Sequence, residues 1–594
     1  MKSDGNLLPI NTEYPSSRTV LVLALLSSIL QYLSFFPANL GSLGWVALTP
    51  LLVLSKFPLP RQAGWVIWSC CFAQYLCSLR WMMVADERMI ATWILLAWWC
   101  SLFPITGIHL LRLLSTHLGL PLAILAPLIW IPLEHSRAYL LTGFPWYYLA
   151  HTQHEVIPLL QTADIAGTQL LTFIVALSNG WVADLLLFIR PWFLPLSSIT
   201  RKSILLATGT GGIILILLSF AYGKWKISVT LESLEPGPKI VSMQGNHPQT
   251  ARNDETHFDG LWDDYLVLLG RAKKLAPDLI VWPETSFPFE IQTILCEAGP
   301  LMGKPRVGDS DSILARKSVF SGPSHLLGAS IAIVDNGTII RRHNSALLQD
   351  IAHERVVRYD KIHRVPFGEY LPMKDYFPGM NLLSPYTFDY SISSGNCFPR
   401  FPVQGDKREY IFTTLICYED SDFILARLAA GADGLPRPDF LVNQSNDGWF
   451  KGTEEHEQHL AVARFRAVET RRSLIRSVNM GISALVDPIG RVLTPNAFPG
   501  DPSTFEIPQD AINLPGSQWH LFKAKPLVIL ATIPICHADS IYMLYGDWLA
   551  WMMDIILFIT LTLSCRLSYK SKYRNPRNPS AVCRDFCRQR RNFS

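Results

Sequence analysis

A glutamate, a lysine and a cysteine, each closing an extended-looking apolar run, are the side chains of this sequence best suited to chemistry. Glu284 ends Val281-Trp282-Pro283-Glu284, Lys361 ends Tyr359-Asp360-Lys361, and Cys417 sits in Leu415-Ile416-Cys417-Tyr418-Glu419. A thiol can attack an acyl carbonyl and carry the acyl group covalently, which splits one difficult step into two easier ones. A carboxylate beside it can take the thiol proton and later return it to a leaving group. A positioned ammonium can stabilise the oxyanion that forms between the two. Taken singly, Cys417 reads as an inert buried thiol, Glu284 as a surface acid at a strand end and Lys361 as a solvated loop lysine. Only their company makes a cysteine acyl-transfer site.

The elements that must position these residues alternate between strand and helix patterns. Strands are expected at 239–243, 279–282, 410–416, 440–442, 473–478 and 482–486, with a hairpin 331–334/338–340 turning at Asn336-Gly337. Helical spacing marks 255–275 (Phe258, Leu261, Tyr265, Leu268, Leu269, Ala272), and 422–430 and 457–472 also look helical. This alternation argues for a layered α/β domain. Cys417 would lie where a strand gives way to a helix. The helix N-terminus would favour thiolate there, and the turn would project the side chain from the sheet.

The rest of the chain places this domain at a membrane. Of 594 residues, 49% are hydrophobic and 17% charged, which excludes a disordered chain and an ordinary soluble one. Seven apolar runs come first, at 19–36, 40–56, 62–79, 89–111, 117–133, 167–189 and 203–223, and an eighth lies at about 546–565. Several reach the ~20 residues a spanning helix needs, whereas 40–56 and 117–133 are marginal. Lys2, Arg18, Lys56, Arg61, Arg112, Arg190, Arg201 and Lys202 all fall on one side if there are eight crossings, as does the basic tail. The positive-inside bias makes that side cytoplasmic and the 224–543 segment extracytoplasmic. The expected division is a cytoplasmic segment 1–18, a membrane domain of seven helices at 19–223, a catalytic domain at 224–543, an eighth helix at 544–566 and a cytoplasmic tail at 567–594. Because the tail follows a span, lipid headgroups or topology explain it better than nucleic acid.

Other features read plainly. Gly209, Gly211 and Gly212 lack the Lys-Ser/Thr of a phosphate loop and suit close helix packing. His456 and His459 are three apart, not at zincin spacing, so no metal is expected. Cys296 and Cys397 could pair, which sequence alone leaves open. The run Phe144-Pro145-Trp146-Tyr147-Tyr148 fits interfacial aromatics or the lip of a lipid entrance.

Longer motifs bring a resemblance. Val281–Glu284, then Asp360-Lys361-Ile362-His363-Arg364-Val365-Pro366-Phe367-Gly368-Glu369-Tyr370-Leu371-Pro372, then Leu415–Glu419 resemble the nitrilase superfamily, and more narrowly its membrane branch, the apolipoprotein N-acyltransferases. Asn344-Ser345-Ala346-Leu347, Ser445-Asn446-Asp447-Gly448-Trp449-Phe450, His459 through Glu469, Asn479 through Ala484 and Tyr545-Gly546-Asp547-Trp548 fit as well. The resemblance covers roughly 20–565. It implies a multi-span α-helical membrane domain joined to an extracytoplasmic α/β domain with an α-β-β-α sandwich. It also implies Glu284 as general base, Lys361 as oxyanion stabiliser, Cys417 as nucleophile and Glu369 as a second acid near the lysine. Tyr418, Glu419 and Trp449 would shape the site.

The implied reaction moves an acyl chain from a membrane phospholipid, through a cysteine thioester, to the N-terminal α-amine of a diacylated apolipoprotein. No cofactor, metal or nucleic acid takes part. The expected location is the periplasmic face of a bacterial inner membrane. The alternative is a membrane-anchored nitrilase-type amidase with water as acceptor. A transporter is disfavoured because few charges lie mid-span. Two departures stand out. Asn253 occupies a place where the family often has Trp, and 290–325, with Lys304, Arg306, Arg316 and Lys317, is longer and more basic than expected.

Overall fold

The computed structural model describes residues 15–573 apart from 87–88, 190–198, 249–257, 295–318, 351, 375, 378, 381–389, 433 and 524. Asn253, Cys296, the four basic residues named in the 290–325 stretch and the tail beyond 573 lie outside the described residues.

Fourteen strands occur among the described residues: β1 Glu235–Gln244, β2 Leu279–Val281, β3 Ile291–Ile294, β4 Ser324–Asp335, β5 Thr338–Asp350, β6 Arg355–Asp360, β7 Phe401–Gln404, β8 Glu409–Ile416, β9 Phe440–Ser445, β10 Ser473–Val478, β11 Ala484–Val486, β12 Asn496–Phe498, β13 Asp501–Ile507 and β14 Leu527–Ile535. They form two sheets, ordered β12-β13-β14-β1-β2-β4-β5-β6 with β3 on β4, and β11-β10-β9-β8-β7. The β4–β5 turn holds Asn336 and Gly337 at φ 47° and 78°. Left-handed conformations at both central residues match the right-handed twist of a hairpin, which is why Asn-Gly stands there.

Apolar side chains on the inner faces, among them Val281, Leu326, Phe412, Ile416, Phe440 and Ile475, fill the space between the sheets. Helix Phe258–Lys274 closes the outer face of the larger sheet, packing Tyr265, Leu268 and Ala272 on Val241, Ile280 and Leu327. Helix Glu455–Thr470 closes the smaller sheet, with Leu460, Ala463 and Ala467 against Leu441 and Leu474. The result is the α-β-β-α sandwich.

The second closing helix is buried along its whole length, because its other face meets the helical part of the chain. Phe465 and Val468 enter a core shared with Leu128, Leu160, Leu171 and Leu549. Burying each such side chain contributes about 1.5–3 kcal/mol.

That helical part consists of Ser17–Leu33, Thr49–Leu54, Arg61–Ser78, Ile90–Leu118, Leu122–Tyr139, Thr168–Ile189, Ile199–Glu232 and, after the sandwich, Trp548–Tyr573, besides shorter turns. Among the described residues, four helices are long and apolar enough to cross a bilayer: Ile90–Leu118, Thr168–Ile189, Lys202–Glu232 and Trp548–Arg566. The run at 40–56 is instead broken into a 3-10 turn, Gly41–Trp45, and the six-residue helix Thr49–Leu54. Broken backbone amid apolar helices must find partners inside the protein. Asn179 supplies them, accepting from Leu48 N (2.7 Å) and Thr49 N (3.1 Å) and donating to Gly44 O (2.8 Å).

Ion pairs lock sandwich and helices together. Arg471, at the C-terminus of helix Glu455–Thr470, reaches Asp164 from Nη2 (2.5 Å) and Nε (3.0 Å), and both side chains are buried. Asp164 also holds Lys226 at 3.2 Å and accepts from the Tyr222 hydroxyl. Glu469 accepts from Thr168 N and Arg466 Nη2, each at 2.9 Å. A buried charge stripped of its partner is strongly unfavourable, whereas an apolar replacement of the whole pair can be neutral. Arg471→Leu should therefore destabilise the protein by about 3 kcal/mol. Asp164→Leu/Arg471→Leu should recover only part of that loss, because Lys226 then loses its own carboxylate, as read by unfolding in detergent micelles.

Candidate active site

Three strand ends bring the expected residues together. β2 runs parallel to β4, and Glu284 follows it in a loop where the Cα of Glu284 is crowded against Gly328. A Cβ on Gly328 would lie 2.0 Å from Pro283 O, so only glycine allows this approach. Lys361 leaves the end of β6, its amide donating to Asn344 O at 2.8 Å. Cys417 opens the turn Cys417–Asp420 directly after β8.

Lys361 is 1% exposed and its ammonium lies between two carboxylates, 2.8 Å from Glu369 Oε1 and 3.3 Å from Glu284 Oε1. Burial works against its charge, but Glu369 and Glu284 outweigh that and hold its pKa well above the usual lysine range. Asn344 Nδ2 donates to Glu284 Oε1 at 2.6 Å and to Glu369 Oε1 at 3.3 Å, fixing the acids relative to each other. Glu369 Oε2 accepts from Val365 N at 2.7 Å. Burial pushes the Glu284 carboxyl up, with Glu369 adding to the push and Lys361 opposing it.

Cys417 is only partly accessible and adopts φ 53°. A left-handed conformation on a residue with a Cβ stores about 1–3 kcal/mol and persists only where neighbours enforce it. Asn443 on the adjacent β9 enforces it by donating to Cys417 O at 3.0 Å. The thiol does not rest as thiolate. Burial, then the Glu284 carboxylate, push its pKa well above the usual value, and Lys361 pulls the other way without prevailing. The expectation that a helix N-terminus would favour thiolate fails for two reasons. The turn is a single four-residue 3-10 turn rather than a helix, and burial, with the Glu284 carboxylate adding to it, outweighs the pull of Lys361.

Glu419 is a fastener. Its Oε1 accepts from Ile362 N (2.7 Å) and His363 N (2.9 Å), and its Oε2 from Ile416 N and the Tyr359 hydroxyl, each at 2.7 Å. One fully buried carboxylate thus ties the cysteine turn to the lysine loop. Burial pushes its pKa up to about 7. The Tyr418 ring stacks on Trp146 at 6.2 Å and meets His363 edge-on at 5.4 Å. Trp449 lies half-buried on the turn Asp447–Phe450, where Phe450 meets Trp81 at 4.7 Å.

The aromatic run 144–148 is no exposed lip. Phe144, Trp146, Tyr147 and Tyr148 are all buried. Trp146 Nε1 and the Tyr147 hydroxyl both donate to Gln458 Oε1, at 3.1 and 2.8 Å, so the run joins the helical part to the site. Among the described residues, Asp447, Glu455 and His459 bring possible metal-binding atoms within 4.8 Å of one another. Both His459 ring nitrogens already face carboxylates, and Arg476 stands 3.6 Å from Asp447 Oδ2. The cluster is thereby neutralised from within. Asn344, Asn443 and Asp420 acquire contacts that the sequence assigned to none of them. A signal was available for Asn443 alone, a polar residue directly after the apolar Phe440-Leu441-Val442 of β9.

An acid after β2, a buried lysine at the end of β6 with a second acid in its loop, and an elbow cysteine after β8, all on an α-β-β-α sandwich, are the features of the nitrilase class. Residues 240–511 match the carbon-nitrogen hydrolase family model, and 27–181 match the apolipoprotein N-acyltransferase N-terminal domain. A solved structure of a mutant Nesterenkonia AN1 amidase from the nitrilase superfamily aligns with 52% of this chain and 93% of its own, at 16% identity and a TM-score of 0.30. Curated relatives extend over both parts. The apolipoprotein N-acyltransferase of Geobacter metallireducens is 30% identical over 544 residues, 89% of this chain and 92% of that one. That of Azotobacter vinelandii is 30% identical over 79% of this chain and 86% of its own, and that of Pseudomonas putida 28% identical over 80% and 87%. The chain belongs to the apolipoprotein N-acyltransferase family.

Two outcomes follow from the site's electrostatics. Iodoacetamide reacts with thiolate, so alkylation of Cys417, followed by mass spectrometry, should keep accelerating above about pH 9 without an earlier plateau, since its pKa is raised. Glu419→Gln turns an amide donor toward backbone donors and should cost about 2–3 kcal/mol of stability in thermal unfolding.

Proposed function

We propose that this chain transfers an acyl group from a membrane phospholipid, through a thioester on Cys417, to the N-terminal α-amine of a diacylglyceryl-cysteine lipoprotein. The observation that carries the reading is the buried ammonium of Lys361 held between Glu284 and Glu369, electrostatically coupled to Cys417, in a chain of this family.

The steps follow from the resting charges. Glu284 takes the proton of the Cys417 thiol, and sulfur attacks the ester carbonyl. Lys361 and the amide of Tyr418 stabilise the oxyanion. The C–O bond breaks, and the proton on Glu284 goes to the departing lysophospholipid oxygen. The acceptor amine then attacks the thioester and gives a proton to Glu284. The C–S bond breaks, and that proton returns to sulfur. Glu369 keeps Lys361 charged and placed, Glu419 holds the two loops together, and Tyr418 and Trp449 shape the opening. Acyl chains in both substrates explain why the site is joined to apolar helices.

The same reading places the protein in the bacterial inner membrane as a multi-pass protein, its catalytic part on the periplasmic side. The broken 40–56 segment supports an even number of crossings. Its start lies beside the sandwich, where Glu155 Oε1 accepts both from Asn39 Nδ2 and from Gly516 N, each at 2.9 Å. Its end, at Lys56, feels Asp184 of helix Thr168–Ile189, whose carboxylate caps the far end of Leu122–Tyr139 through Ala123 N at 2.9 Å.

Purified enzyme given phospholipid and a synthetic diacylated lipopeptide tests the reading. A triacylated product identified by mass spectrometry is the expected result, and release of free fatty acid alone would indicate hydrolysis. Glu284→Gln should slow transfer on the order of 10²–10⁴-fold, the range for losing a general acid–base. Cys417→Ala should abolish it, and retained transfer would refute the assignment.

A further inference from the structure

Behind the nucleophile lies a second group of charges that the steps above do not use. Asp420 closes the turn that Cys417 opens. Asp447 begins the turn after β9, and its Oδ1 accepts from Ser445 Oγ at 2.7 Å; the Ser445 hydroxyl in turn interacts with the Cys417 thiol. His459, from helix Glu455–Thr470, stands between the two aspartates, with Nε2 2.7 Å from Asp420 Oδ1 and Nδ1 3.2 Å from Asp447 Oδ1. Arg476 on β10 contacts Asp420 Oδ2 through Nη1 and lies 3.6 Å from Asp447 Oδ2 through Nη2. Asp420, Asp447, His459 and Arg476 are each at most 2% exposed.

Ionised carboxylates only accept hydrogen bonds, so an imidazole facing one at each nitrogen must donate from both. It is then an imidazolium, and His459 and Arg476 balance Asp420 and Asp447 charge for charge. Glu455, 3.6 Å from His459 Nδ1 and 3% exposed, completes the set. Burial there pushes its carboxyl well above the usual range, so it is neutral. Burial opposes the charge on His459, yet Asp420 and Asp447 raise its pKa to about 10. The remaining neighbours are His456, which donates from Nε2 to Asp447 O at 3.0 Å, and Trp146, whose ring lies 5.6 Å from the imidazole. The same Trp146 ring stacks on Tyr418.

We infer that His459, as a buried imidazolium bridging Asp420 and Asp447, is a positioning residue that clamps the strained Cys417 elbow between two turns and ties its geometry to the aromatic run of the helical part. The inference rests on the role proposed for Cys417. His459 touches no reacting atom. It acts by holding the aspartate that ends the cysteine turn and the one bonded to Ser445. Misplacing a reacting atom by about 1 Å costs on the order of 10²-fold in rate, and that is the size of effect a loosened clamp should produce.

The test uses full-length enzyme in micelles with equal parts dioleoyl phosphatidylethanolamine and dioleoyl phosphatidylglycerol and no acceptor. It reads single-turnover formation of acyl-Cys417 by mass spectrometry, per folded molecule. His459→Gln keeps one donor and loses the charge. It should slow acylation on the order of 10²-fold while leaving KM for phospholipid unchanged, the pattern of an interaction that matters only on the way to the transition state. Asp420→Asn, nearly isosteric, should slow it in the same direction. The double variant should be little worse than either single one, because the residues act as one unit. A histidine needed only for folding would lower the yield of folded protein and leave the rate per folded molecule intact. If His459→Gln does not fold, Asp420→Asn decides. Acylation at the wild-type rate in the folded variants overturns the clamp alone, whereas wild-type enzyme that never forms acyl-Cys417 overturns the proposed nucleophile.

Discussion

An ammonium removed from water must be surrounded by opposite charge, and much of this site is the consequence of burying Lys361. A lysine at 1% exposure requires carboxylates within hydrogen-bonding reach. Glu284 and Glu369 supply them from different loops, and Asn344 keeps the two acids in register. Burial, and after it the Glu284 carboxylate, outweigh the ammonium, so the thiol beside it keeps its proton. On the proposed reading, that balance is functional. A carboxylate able to accept the proton is already in place, and a new negative charge is tolerable only where the lysine can meet it.

Glu284, Lys361 and Cys417 each depend on a different strand end, so the sandwich has to be rigid. Glu419 supplies part of that rigidity by binding the amides of Ile362, His363 and Ile416 at once. The buried helix Glu455–Thr470 supplies more. Its apolar residues face a sheet on one side and the helical bundle on the other, while Glu457 and Arg466 find opposite charges and Arg464 is held by Gly490 O, His154 and Asn513. Sandwich and bundle therefore share a core, and Tyr418, the residue after Cys417, stacks on a tryptophan from the bundle's own connecting segment. On the proposed reading, an enzyme whose substrates arrive through the bilayer gains from that continuity, because the helices that meet lipid and the turn that meets its ester cannot drift apart.

Much of this was legible in the sequence because the signals are local. Pro283 breaks an apolar run just before Glu284, Asn336-Gly337 announces a hairpin, and an apolar strand delivers Cys417 to a turn. The layered α/β architecture followed from the same alternation. What was not legible depends on distant partners. β1 pairs with β14, nearly three hundred residues away, and no periodicity announces that. The protonated thiol follows from burial and from Glu284, whose charge outweighs Lys361, not from its place at a turn. Hydropathy marked 40–56 as one continuous run, but Asn179, on a helix far along the chain, allows it to break. The aromatic run at 144–148 has the composition of a membrane interface, yet Gln458 and the stacking rings draw it inside.

The central claim is that sulfur carries the acyl chain. The most direct measurement is intact-protein mass spectrometry of enzyme mixed with phospholipid alone and then chased with a diacylated lipopeptide. The account predicts one fatty-acyl mass added at Cys417, stable until the chase and then moved onto the peptide amine. Transfer to the peptide with no adduct on Cys417 at any time would contradict it.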